Sequence, residues 1–328
     1  MYNINDELKD RIADLNNLLE IKCKAILGSS RLELRTFINK NIGQIKKMDK
    51  LNKDMLTSFE KKGGIVGVDG SNNRMGGAYP HFVEVYQALA KSTTVKDKPL
   101  YKTDIYTPLI PEHEENPLEN NEKIIEEKRN IKLSTLEVEA AIESIDAFKP
   151  YAILMDGGLI RYNIYAYEKW MELRNRCEDD NILLVGVIKD IKTSMIGDQM
   201  MDLNPEIKEC FYDREMLFGV LDYGEMIIIK DGANKKEQQG YASVFLRSSL
   251  QPSVIGMDII ESQRDHIEEM AKLVFTLTPE NSRGVPLWLD IVDKEVKISD
   301  DIMRALLERY MDRGIYERFF VSERDKRT

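Results

Sequence analysis

GIVGVDGSNN, residues 64–73, and YAILMDGGLIR, residues 151–161, pose one question. In each, an apolar, strand-forming run stops at Asp-Gly, first at Asp69 and again at Asp156. An Asp-Gly pair after a strand suits a tight hairpin turn. The residues after Asp156 look helical instead, so no returning strand follows. The strand before it is apolar on both faces, the mark of a sheet centre. A charge at the tip of such a strand must be solvated, paired or metal-bound. Acids at the tips of neighbouring central strands suit hard divalent cations such as Mg²⁺ or Mn²⁺. Two such ions about 4 Å apart polarise a phosphate and activate water.

The rest of the chain supports an α/β reading. It has 328 residues, is 42% hydrophobic and 32% charged, and so builds an ordinary core. Residues 1–60 read as a helical extension, either packed against its own domain or an arm for a second copy or a partner. Leu8, Ile12, Leu15 and Leu19 step by four, three and four along one helix face. A second helix follows the break at 28–30. Residues 61–328 read as one domain. Strands are expected at 65–69, 81–92, 98–109, 151–156, 182–188, 225–230 and 241–249. Helices are expected at 119–147, 162–178, 261–275 and 300–313, the last capped by Ser299 and closed by Gly314. A turn-rich loop separates the first two strands, and a polar loop holds Pro111 and Pro117.

No run is long and apolar enough to span a membrane, and MYNINDELKD does not read as a signal peptide. The three cysteines are odd in number and widely spaced, as expected of reduced thiols in the cytoplasm. A net charge of −10 argues against a passive DNA-coating protein but not against an enzyme that gathers carboxylates around metal.

Further acids are available. On the helix at 119–147, Leu133, Glu137, Ala141 and Ile145 recur at steps of four, so Glu137 lies on an apolar stripe. An acid there is costly unless paired or coordinating. In GVPLWLDIVDKEVKIS, residues 284–299, spacing alone does not choose between Asp290 and Asp293.

Taken together, VDGS at 68–71, LE at 136–137, LMDGGL at 154–159, the lysine of VGVIKD at 185–190 and VDKEVKIS at 292–299 resemble the NurA nuclease family. The resemblance implies an RNase H-like core with a mixed central sheet and Mn²⁺- or Mg²⁺-dependent DNA cleavage. It implies 5′→3′ exonuclease and single-strand endonuclease activity. It also implies a homodimer working with a HerA-type hexameric ATPase, in end resection or defence against phage. Carried over by position, Asp69, Glu137, Asp156 and Asp293 become ligands of two ions, with Asp69 bridging. Lys189 becomes a phosphate contact. Arg161 is a candidate phosphate contact, and Tyr79 and Tyr162, beside the Asp-Gly pairs, are candidates for stacking on bases. The family's last motif reads Ala-His, where this chain has Val292-Asp293. The exchange adds negative charge and removes an imidazole. Two other readings remain open: an inactive nuclease-like regulatory subunit of a translocase complex, and an actin-like ATP-binding protein.

Overall fold

The computed structural model describes residues 5–27, 30–95, 97–110, 122–203, 211–233 and 236–321. The expected loop with Pro111 and Pro117, the first residues of the helix expected from 119, and most of the break at 28–30 lie outside these. Nine strands form one mixed sheet: β1 (Gly43–Lys47), β2 (Ile65–Gly76), β3 (Phe82–Ser92), β4 (Leu100–Tyr106), β5 (Ala152–Asp156), β6 (Leu183–Ile188), β7 (Glu225–Ile229), β8 (Tyr241–Leu246) and β9 (Ile255–Ile260). Their order across the sheet is β1-β7-β8-β9-β6-β5-β2-β3-β4. Only β2, β5 and β6 run parallel to one another, at the centre. Every other pairing is antiparallel. This is the mixed central sheet flanked by helices, the α/β, RNase H-like architecture expected of the sequence.

The helices are α1 (Asp6–Leu27), α2 (Arg31–Asn41), α3 (Lys53–Lys61), α4 (Glu122–Phe148), α5 (Leu159–Tyr165), α6 (Tyr167–Asp179), α7 (Met195–Leu203), α8 (Asp213–Met216), α9 (Ile267–Leu277), α10 (Leu287–Val296), α11 (Asp300–Tyr310) and α12 (Arg313–Phe319). Side-chain alternation sorts the sheet's two faces. Val66, Val68, Ile153 and Met155 pack under α4 and α6, against Val138, Ala141 and Trp170. Ile65, Ala152, Leu154 and Val187 turn the other way, toward Leu273 of α9 and Leu289 of α10.

Several expectations change. The strand at Asp69 does not stop there. It continues to Gly76 and pairs with β3 along its whole length, from Val66–Ser92 to Gly76–Phe82. Asn72, Asn73 and Arg74, read as a loop, are extended because β3 supplies backbone partners. The helix expected at 162–178 is two helices broken at Ala166, whose φ of −139° is not helical. The stretch 261–266 is a 3₁₀ turn before α9. Gly314 lies inside α12 rather than closing α11, which ends at Tyr310 with Met311 as its C-cap. Strand β9 and helix α10 were not expected. Gly256 and Asp258 interrupt the first, and the acids of the second resemble a loop.

The first sixty residues are not wholly helical. β1 is an edge strand paired with β7. α2 is tied to the sheet by Arg35, which donates to both carboxylate oxygens of Glu225 at 2.6 and 2.9 Å. Ile38 and Ile42 of that segment are fully buried against Ile227 and Ile229. α1 alone leaves its apolar stripe bare, with Leu8, Ile12, Leu15 and Leu19 all exposed. If α2 belongs to the core, Ile38→Ala creates a cavity and costs about 2–5 kcal/mol. Denaturant unfolding checks this; a loss under about 0.5 kcal/mol would contradict it.

Candidate metal centre

Three of the expected acids meet. One carboxylate oxygen each from Asp69, Asp156 and Asp293 lies within 4.8 Å of the others. Strand register explains the first two. Asp69 pairs with Leu89, which packs on Val292 and Val296 of α10. Asp156 pairs with Val187, which lies in the core on that same face. Both carboxylates therefore emerge on the α10 side. α10 delivers the third acid because it lies close over β2. A Cβ on Gly67 would stand 3.0 Å from Trp288 and 3.1 Å from Val292. The Trp288 indole N–H also donates to the Lys91 carbonyl at 3.0 Å.

The choice between Asp290 and Asp293 falls to Asp293. Asp290 points to Arg283, whose Nη2 donates to it at 2.6 Å, while Arg283 reaches Asp293 at 3.3 Å.

Glu137 comes from the opposite face and stands beside the cluster, not in it. It is fully buried on α4. Its Oε2 accepts from the Tyr162 hydroxyl at 2.6 Å and from Arg161. Its Oε1 lies over Gly70, where a Cβ would stand at 2.5 Å. The glycine after Asp69 is thus no turn residue. It lets α4 bring a carboxylate onto the strand. The glycine after Asp156 does turn the chain: Gly157 has φ +136° and donates to the Val187 carbonyl at 2.9 Å. Gly186 permits that turn, since a Cβ there would meet the Gly157 oxygen at 2.5 Å.

Lys189, at the end of β6, forms an ion pair with Asp156. Tyr162 offers no face to a base. It is fully buried and stacked on Trp170, with ring centroids 5.9 Å apart. Tyr79 packs partly buried against the α4-side core.

The electrostatics of the cluster are strained without a cation. Burial, then the carboxylates of Asp156 and Glu137, push the pKa of Asp69 up to about 9. Burial also raises Asp156, against the pull of Lys189. It raises Glu137 too, against Arg161 and Tyr162. Three hard oxygen donors, crowded together with Asp69 buried and Asp156 and Asp293 half-buried, are a donor set that fits Mg²⁺ or Mn²⁺.

The NurA domain profile matches residues 63–298. The chain belongs to the NurA nuclease family. The crystal structure of the NurA nuclease from Sulfolobus solfataricus is similar in fold, with a TM-score of 0.57 at 12% identity, over 93% of this chain and 96% of that one. Endonuclease V from Bacillus subtilis gives a TM-score of 0.41 at 12% identity, over 85% of this chain and 92% of that one. No curated protein matches in sequence.

A pH dependence follows from Asp69. In the unfolded chain its carboxyl ionises near the usual value of about 3.9. In the fold it holds its proton to about 9. The stability this proton gives is complete below the unfolded value and is lost as pH rises through the folded one. The metal-free melting temperature should therefore fall between about pH 5 and about pH 9, and Asp69→Asn should flatten the fall. Mn²⁺ should raise the wild-type melting temperature more at the alkaline end, because binding needs the ionised acid. Parallel slopes for wild type and Asp69→Asn would contradict the assignment.

Proposed function

We propose that the protein is a divalent-metal-dependent deoxyribonuclease whose centre is the Asp69–Asp156–Asp293 cluster. The observation that carries this reading is the convergence of three acids, from β2, β5 and α10, on one face of the sheet within 4.8 Å. Family membership supplies the reaction class.

Bound Mn²⁺ or Mg²⁺, as a pair of ions, supplies neutralisation of phosphate charge and activation of water. The chain does the rest. Asp69, Asp156 and Asp293 would hold the cations. Glu137, beside that set, would add an oxygen through Oε1, which lies over Gly70, while Arg161 and Tyr162 hold Oε2 in place. Lys189, paired with Asp156 in this structure, would offer its ammonium to a substrate phosphate, with Arg161 adding positive charge nearby. An aspartate at 293 keeps a hard oxygen ligand where the family carries histidine.

The finer reading covers 5′→3′ exonuclease and single-strand endonuclease action on DNA. It includes a HerA-type hexameric translocase as partner, in end resection or defence against phage. A homodimer is supported by α1, whose Leu8, Ile12, Leu15 and Leu19 are bare along one stripe. A cytoplasmic location is supported by unpaired Cys23 and Cys177. Among the described residues no helix is long and apolar enough to cross a membrane.

Cleavage of single-stranded and duplex DNA with Mn²⁺ tests the proposal. Asp69→Ala and Asp156→Ala should each lower the rate by at least about a hundredfold, the loss of about 2.7 kcal/mol of transition-state stabilisation. Asp290→Ala should stay within about threefold of wild type. Wild-type rates in either of the first two would end the proposal. No metal-dependent cleavage by wild type would favour the regulatory-subunit reading instead.

A further inference from the structure

Behind the Asp156-Gly157-Gly158 turn, on the α4 side of the sheet, lies a cavity of about 260 Å³ that the reaction above does not use. Its walls include Ile160, Ile191 and Met195. Gly256 of β9 also lines it and lets Ile188 pack close to the sheet, since a Cβ there would stand 3.3 Å from Ile188. Lys192 brings positive charge to it, and Arg161 and Lys236 also line it, paired with Glu137 and Asp258. The acids that line it are already engaged. Asp258 accepts from Lys236 at 2.7 Å and from Ser243 at 2.7 Å, and Asp190 pairs with Arg214 at 3.1 Å.

The cavity adjoins the metal centre. Gly158, two residues beyond Asp156, lines it. So does Arg161, which holds Glu137. Lys189, paired with Asp156, sits between cavity residues Ile188 and Asp190. A polyanion crossing the tips of β5 and β6 at the acid cluster would next meet Arg161 and Lys192.

We propose that this cavity receives one unpaired nucleobase of the strand being cut, the base of a nucleotide beside the scissile phosphate. The occupant's chemistry follows from the lining. Apolar walls suit a flat ring removed from water, and the cations suit the phosphates on either side of it. A base in Watson–Crick pairing cannot enter without leaving its stack, which makes the cavity a selector for single-stranded or frayed ends. This inference rests on the nuclease reading for its strand and its register. The cavity itself stands on geometry.

The test moves one abasic nucleotide stepwise through a single-stranded oligonucleotide. Cleavage with Mn²⁺ is read together with binding in Ca²⁺, by fluorescence anisotropy. At one position beside the cut, the abasic substitution should lower wild-type cleavage and binding by at least about tenfold. Met195→Phe fills the cavity and should erase the difference between intact and abasic strands. Ile160→Phe, on another wall, repeats the test should Met195→Phe fail to fold. Even behaviour at every abasic position would overturn the proposal, as would filled variants that still discriminate. Position-dependent binding by a protein that cuts nothing would keep the pocket and sink the nuclease reading.

Discussion

The cost of bringing three carboxylates together in a partly dry site governs this structure. Asp69, Asp156 and Asp293 offer oxygens within 4.8 Å of one another, and Asp69 is buried. Burial and mutual repulsion both disfavour ionisation, so the metal-free protein keeps a proton on Asp69 at neutral pH. Divalent cations remove both penalties at once. An arrangement that is unfavourable alone and favourable with metal has the thermodynamic form of a metal site.

Small residues make the arrangement possible. Gly67 lets α10 lie low over β2, and that brings Asp293 to Asp69. Gly70 lets Glu137 rest against the strand from the other face. Gly186 and Gly157 let the chain leave β5 sharply, so that Asp156 ends its strand at the tip. Gly67, Gly70 and Gly186 each remove a side chain where two segments approach closely, and Gly157 supplies the positive φ of the turn. Arg161, Tyr162 and Lys189 then fix the acids through hydrogen bonds and ion pairs. The site is built from the crossing of β2, β5, α4 and α10.

Much of this was legible in the sequence, for a physical reason. β5 and β6 are covered on both faces, so their residues form continuous apolar runs that announce the sheet centre. The two Asp-Gly pairs stand out because charge follows such runs directly. What stayed hidden depended on partners distant in the chain. β2 runs on past Asp69 through Ser71, Asn72 and Asn73 because β3 pairs with them, and local propensity reads that stretch as loop. β1 lies inside a helical region and is a strand only because β7 supplies its ladder. Glu137 was placed among the ligands from its apolar helix stripe, yet its nearest partners are Arg161 and Tyr162. Period alone could not say that α4 and α10 lie on opposite faces. Asp293 was separated from Asp290 only by the crossing of α10 over β2.

The central claim is that Asp69, Asp156 and Asp293 form one divalent-cation site. Calorimetric titration of the metal-free protein with Mn²⁺ tests it without reference to any substrate. Saturable binding that weakens by at least about tenfold in each of Asp69→Asn, Asp156→Asn and Asp293→Asn is the predicted result. Binding of unchanged affinity and stoichiometry in all three variants would contradict it.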